Sequence, residues 1–261
     1  MPVTTFGTLG TIAEVPAVTP AVPVVYLHGW GRSRQDFAAI ARQRPGMAID
    51  LPGFGSSPPP PAAMGSRDYA THVLEASKQW AGSEPLLIVA HSFGGRIGLQ
   101  MAASAPAAVR GLIIAGVPLF RNHSRRKPSR RKPSKRNHSK RKPPLRYRTI
   151  RTFHKLKVTS DSQLERARLK YGSADYVAAT GVMREVFVEV VNESYEPQLT
   201  QIRCPTAFVW GTFDTAAPLS HARRAHQMVA GSTLETRDCG HDIHLEHPHL
   251  FVELIDRFTL S

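Results

Sequence analysis

Residues Leu86-Leu87-Ile88-Val89-Ala90 form an unbroken apolar run that stops at His91-Ser92-Phe93-Gly94-Gly95, and helical spacing begins at once. An apolar run without polar alternation is what a parallel strand covered on both faces requires. Ala90 and Gly94 stand two residues either side of Ser92, where a tight strand-to-helix turn brings backbones too close for large side chains. Such a turn lifts the Ser92 hydroxyl above the strand end, at the N-terminus of the following helix. The pattern is small-x-Ser-x-Gly, a nucleophile elbow with Ala in place of the first Gly. Alone it also describes an ordinary glycine-rich strand–helix turn, so its meaning rests on partners elsewhere in the chain.

The 261 residues suffice for one large domain, or for a core carrying an insertion. No run approaches the roughly 18 apolar residues of a membrane span. The opening Met1-Pro2-Val3-Thr4-Thr5-Phe6 has neither the basic start nor the apolar stretch of a signal peptide. Cys204 and Cys239 make no disulfide framework and fit no zinc spacing. These features predict a soluble, reduced, cytoplasmic chain without a cofactor.

A formal net charge of +14 raises nucleic acid as a partner, so its distribution decides the matter. Arg121–Arg148 holds 14 of the 34 Lys and Arg and no acid, which leaves 20 basic residues against 20 acidic ones elsewhere. That window falls into pentads, among them two copies of Arg-Arg-Lys-Pro-Ser, Arg125–Ser129 and Arg130–Ser134. Proline every fifth residue and dense like charge predict a disordered insert over 121–146. It reads as a tandem expansion tolerated in a loop. A dock for nucleic acid or an anionic surface is the less favoured reading, because the remainder is neutral and no aromatics interleave the charge.

Strands alternate with helices on either side of that window. Strands are expected at Val3–Phe6, Thr11–Val15, Val22–Leu27, Met47–Ile49, Leu86–Ala90 and Val109–Val117, then at Pro205–Gly211 and Thr233–Thr236. Helices are expected at Ser33–Arg44, Asp68–Trp80, from Ser92 to Ala103, at Leu219–Val229 and at Pro248–Phe258. Between the two halves, helical spacing covers Tyr147–Lys157, Ser160–Tyr171 and Ser173–Glu193. The pattern predicts an α/β fold: a mostly parallel sheet flanked by helices, with residues 1–118 and 200–261 as core and 119–199 as a helical cap.

A serine hydroxyl is a poor nucleophile near neutral pH; it needs a base, and the base an orienting acid. Asp214 follows the strand ending at Gly211, and His241 follows the last strand within Cys239-Gly240-His241-Asp242. Both sit where a parallel sheet delivers residues, just past the C-terminal strand ends. Asp238 and Asp242 flank His241 but lack the reach to hold its Nδ1. An oxyanion hole needs two backbone N–H donors. Phe93 offers one at the helix N-terminus, and Trp30 of His28-Gly29-Trp30-Gly31 offers the other. The Trp30 ring and His91 are expected to touch substrate. Asp50 reads as a structural strand-end residue. His241, His244 and His247 sit three apart, but the first lies in a loop and no carboxylate pattern completes a site, so no metal is expected.

With these motifs in order, adding Asp50-Leu51-Pro52-Gly53-Phe54-Gly55-Ser56-Ser57 and Leu245-Glu246-His247-Pro248, the sequence resembles the α/β-hydrolase superfamily. The likeness is to the capped carboxylesterase group with an H-G-W-G loop. It implies the α/β-hydrolase fold, with Ser92 as nucleophile, His241 as general base and then acid, and Asp214 as orienter. The implied activity is cleavage of a carboxylic ester or thioester of a small molecule through an acyl-enzyme. The basic insert departs from the family pattern. The same triad also serves C–C bond hydrolases and perhydrolases, and the fold hosts ligand-binding signalling proteins; these are the alternatives.

Overall fold

The structure is a computed structural model that describes residues 1–120 and 173–260, together with Ser162 and Arg166. The basic pentads and the helix expected over Tyr147–Lys157 lie outside the described residues, as does nearly all of the one expected over Ser160–Tyr171.

Eight strands form one sheet: β1 (Val3–Phe6), β2 (Thr11–Glu14), β3 (Val24–Leu27), β4 (Met47–Ile49), β5 (Leu86–His91), β6 (Val109–Ala115), β7 (Thr206–Gly211) and β8 (Thr233–Arg237). Their order across the sheet is β1-β2-β4-β3-β5-β6-β7-β8. β1 and β2 form an antiparallel hairpin and β2 runs antiparallel to β4, while every pair from β4 to β8 is parallel. The hairpin turns through Gly7 and Gly10, both at positive φ, a conformation glycine adopts without steric cost.

Every residue of β5 is buried, because both its neighbours are strands and both faces are covered. The period of two along a strand then divides its side chains between two cores. Leu86, Ile88 and Ala90 join the larger cluster, with Ile97, Leu112, Phe208 and Trp210. Leu87 and Val89 join the other, with Phe37, Ile113, Phe251 and Leu254.

The helices with described bounds are α1 (Ala38–Ala41), α2 (Ser66–Ala81), α3 (Phe93–Ser104), α4 (Ala174–Ala178), α5 (Val182–Val190), α6 (Glu196–Gln201), α7 (Leu219–Met228), α8 (Ile243–Glu246) and α9 (Pro248–Leu260). Two expectations are corrected here. The helix expected from Ser33 to Arg44 is a 3₁₀ turn, Arg34–Phe37, running into the single turn of α1, because the Arg34 N–H is drawn to the Asp50 carboxylate at 2.7 Å. The stretch Ser173–Glu193 is two helices, α4 and α5, broken where Gly181 takes φ 52°. Among the described residues no helix is long and apolar enough to cross a membrane.

α5 and the residues just after it are tied to α2 and α3 by buried and part-buried polar groups. Arg96 of α3 donates to the carbonyl of Val190, the last residue of α5, where a cation meets the negative end of the helix. Its guanidinium also lies 5.6 Å from the ring of Tyr195. The N–H of Ser66, opening α2, donates to Glu193 at 2.9 Å.

The turn from β5 into α3 leaves no room for a side chain at Gly94. A Cβ built on Gly94 would stand 2.2 Å from the carbonyl oxygen of Leu27, on the neighbouring strand. Gly94→Ala is therefore expected to destabilise the protein by at least the about 1–3 kcal/mol of an overpacked core, read as a lowered midpoint in urea denaturation.

Candidate active site

Ser92 is the only non-glycine residue at positive φ among the described residues, at φ 50° and ψ −109°. That backbone is sterically costly and persists only where its surroundings dictate it. Here they do: the Ser92 N–H donates to Ala115 O at 2.8 Å and the Gly94 N–H to His28 O at 3.0 Å. β5 is thus clamped between β6 and the end of β3 at the point where the chain reverses into α3.

The three residues expected to act together lie together. His241 Nε2 is 3.1 Å from Ser92 Oγ, and His241 Nδ1 is 2.7 Å from Asp214 Oδ2. A carboxylate only accepts, so Nδ1 carries the proton and Nε2 presents its lone pair to the serine hydroxyl. Asp214 is held in turn: its Oδ1 accepts the N–H groups of Ala216 and Ala217, each at 2.8 Å. Its carboxylate is fully buried, whereas the His241 side chain is 28% exposed and so open to the cavity. Asp238 accepts from Thr212 and Asp242 pairs with Arg32, so neither competes for His241.

Among the described residues no hydrogen bond engages the N–H of Trp30 or of Phe93. The loop bearing Trp30 is shaped by His28, whose Nδ1–H donates to Gly29 O at 2.7 Å while Nε2 accepts the Leu51 N–H at 3.0 Å. Burial, only partly offset by the Gly29 hydrogen bond, holds the His28 pKa below the usual histidine range, which keeps the ring neutral and both contacts in place. The Trp30 ring packs edge-on against Phe54, Phe93 and Phe187 at 4.9, 5.4 and 5.0 Å.

A cavity of about 540 Å³ opens over Ser92. Trp30, Phe187, Val190 and Pro118 give it apolar walls, and His91, Arg32 and Arg96 reach its edge. His91 borders the cavity, but its ring is buried and its Nε2 is committed to the carbonyl of His241 at 3.0 Å, so the ring is not offered to substrate. Asp50 is structural, as expected: it accepts the N–H groups of Arg34 and Ser56, at 2.7 and 2.8 Å, and the Arg34 guanidinium.

The sequence reading missed Asp36 and His244. Asp36 Oδ2 takes Arg32 Nε at 2.5 Å and lies 3.5 Å from His244 Nε2, whose ring stacks on His91 at 4.1 Å. Nothing in the sequence brings these residues together; only the fold does. Asp36, His91 and His244 have donor atoms within 4.8 Å of one another, the one such grouping among the described residues. Yet the two rings are nearly parallel, at 28°, so their in-plane lone pairs run in separate planes and converge on no common ion. The Arg32 guanidinium on Asp36 opposes a cation further.

Residues 22–248 match the alpha/beta hydrolase fold family, and the chain belongs to it. It is 25% identical to the 2-succinyl-6-hydroxy-2,4-cyclohexadiene-1-carboxylate synthase of Serratia proteamaculans, over 91% of this chain and 93% of that one. It is 35% identical to the pimeloyl-[acyl-carrier protein] methyl ester esterase of a Shewanella species, over 37% of this chain and 36% of the other. Other curated relatives are likewise matched over 26% or 30% of their length. An esterase of known structure from Exiguobacterium antarcticum superposes with a TM-score of 0.68 at 20% identity, each chain covered in full. The chain is therefore an enzyme of the alpha/beta hydrolase class, with esterases and other hydrolases among its relatives and structural neighbours.

Asp50 anchors the turn after β4 from a fully buried position. Asp50→Ala leaves the Arg34 guanidinium and two N–H groups without their acceptor, and is expected to cost about 3–5 kcal/mol, as breaking a buried pair does, measured by urea denaturation.

Proposed function

We propose that this chain is a serine hydrolase of the capped carboxylesterase kind, which cleaves a carboxylic ester or thioester of a small molecule through an acyl-enzyme. The observation that carries the reading is the single imidazole of His241, 3.1 Å from Ser92 Oγ on one side and 2.7 Å from Asp214 on the other. Ser92 Oγ attacks the acyl carbon as His241 Nε2 takes its proton, and Asp214 stabilises the imidazolium that forms. The tetrahedral oxyanion accepts from the N–H groups of Trp30 and Phe93. Collapse breaks the bond to the leaving group, which takes the proton from Nε2. Water then repeats the sequence, His241 accepting its proton and returning it to Ser92 as the acid departs.

The apolar walls of Trp30, Phe187 and Val190 suit an acyl chain or aryl group. Of the cap expected over 119–199, α4 and α5 bear on this space and set its length. No cofactor enters these steps. The basic segment Arg121–Arg148 takes no part in them and is not assigned nucleic acid as a partner. A second reading, action on a bond other than an ester, is favoured by the 91% coverage of a relative named as a synthase rather than an esterase.

Assay with p-nitrophenyl esters of increasing acyl length tests the proposal. The parent is expected to turn over with a burst, and Ser92→Ala is expected to lose burst and turnover. Asp214→Asn, which presents the wrong histidine tautomer, is expected to lower kcat by about 10³–10⁴-fold. An inactive parent on all esters would favour the second reading, or a ligand-binding role.

A further inference from the structure

His91 stands directly before Ser92, and its side chain is turned away from the serine into the protein. The ring is 1% exposed and lies 4.7 Å from the ring of His241. Its Nε2 is 3.0 Å from the carbonyl oxygen of His241; a carbonyl only accepts, so Nε2 carries the proton. Nδ1 is then a bare acceptor, buried and without a hydrogen-bond partner among the described residues. A Cβ built on Gly29 would stand 3.0 Å from it, so a side chain there would crowd the ring. An apolar side chain would fill the same space with no orphaned acceptor. The role of the histidine is therefore to be sought at Nε2.

The loop that carries His241 shows what that donor does. Upstream, Cys239 O accepts the Phe213 N–H at 3.0 Å; downstream, Asp242 O accepts the Leu245 N–H at 2.9 Å. Between these anchors, among the described residues, the bond from His91 is the only hydrogen bond to the backbone of Gly240 or His241. His91 is itself backed by His244, stacked on its far side, and His244 by Asp36, which Arg32 holds. Burial first, then the neighbouring His244 and His241, keep the His91 pKa well below the usual histidine range, so no second cation forms beside His241 as it takes its proton. The groups facing the ring are His241, His244 and Arg32, with Asp242 at 4.0 Å.

We propose that His91 is a positioning residue: by donating to the His241 carbonyl it sets the base-bearing peptide so that one imidazole reaches Asp214 and Ser92 together. This rests on the serine-hydrolase reading above. Loss of the donor should leave substrate binding in place and displace the base, and misplacement on the scale of an ångström costs up to about 10²-fold in rate.

The test compares His91→Leu, His91→Gln and His91→Asn in the full chain, with p-nitrophenyl butyrate as substrate. The amide nitrogen of Gln reaches the place of Nε2; that of Asn falls short of it. His91→Leu is expected to lower kcat about 10–100-fold with KM within about twofold, and to lose the downfield proton resonance of the His241–Asp214 hydrogen bond. His91→Gln is expected to recover the resonance and most of kcat. Should the leucine variant not fold, Gln against Asn keeps the comparison, with Gln expected to be about tenfold faster. Parental kcat in His91→Leu would overturn the positioning role, as would equal losses in Gln and Asn with the resonance intact. Ser92→Ala separates the two proposals. If it is inactive while His91→Leu is normal, only the positioning role falls; if it turns over, the hydrolase reading falls as well.

Discussion

The backbone of Ser92 is bent into a conformation that an isolated chain would leave at once, and the surrounding structure exists in large part to hold it there. Two hydrogen bonds do so directly, from the Ser92 N–H to Ala115 and from the Gly94 N–H to His28. Each reaches a different neighbouring strand, so the elbow forms only once β3, β5 and β6 are in register. That links the long-range parallel pairing of the sheet to the height of a single hydroxyl above it. The dihedral cost of about 1–3 kcal/mol is spread over the sheet and not met locally.

Around the elbow, buried polar groups do what apolar packing cannot. Packing fixes volume; hydrogen bonds fix orientation. His28 spans from Leu51 to Gly29 with one proton on the correct nitrogen. Asp50 gathers the Arg34 and Ser56 N–H groups at the end of β4. Asp214 divides its two oxygens, one to the loop that holds it and one to His241. In each case a loop with few apolar anchors is given a single conformation by a buried polar group whose hydrogen-bonding atoms are met.

The sheet was legible because its strands carry their burial in their composition: β5 and β7 are buried throughout, apolar save for His91 and Thr206, and lead into glycine-bearing turns. Ser92, Asp214 and His241 were legible for a related reason, since strand-end positions converge in a parallel sheet whatever the loops between them do. What escaped was set by contacts between distant segments. The first turn of the helix after Ser33 tightens because Arg34 is drawn to Asp50, sixteen positions beyond it. The break between α4 and α5 turns on one glycine in a stretch whose apolar spacing continues across it. The association of Asp36 with His244 leaves no trace in either local sequence.

Trp30 joins two regions otherwise separated by the cavity. Its backbone belongs to the loop at the end of β3, while its ring lies 5.0 Å from Phe187 of α5. In the acyl-transfer reading, the residue whose N–H meets the developing charge is also the one that feels the helix above the acyl group. A substrate that seats Phe187 well also steadies an oxyanion donor, and one that displaces it disturbs that donor. Discrimination between acyl groups then falls on the rate of acylation more than on occupancy, because binding energy is spent at the transition state.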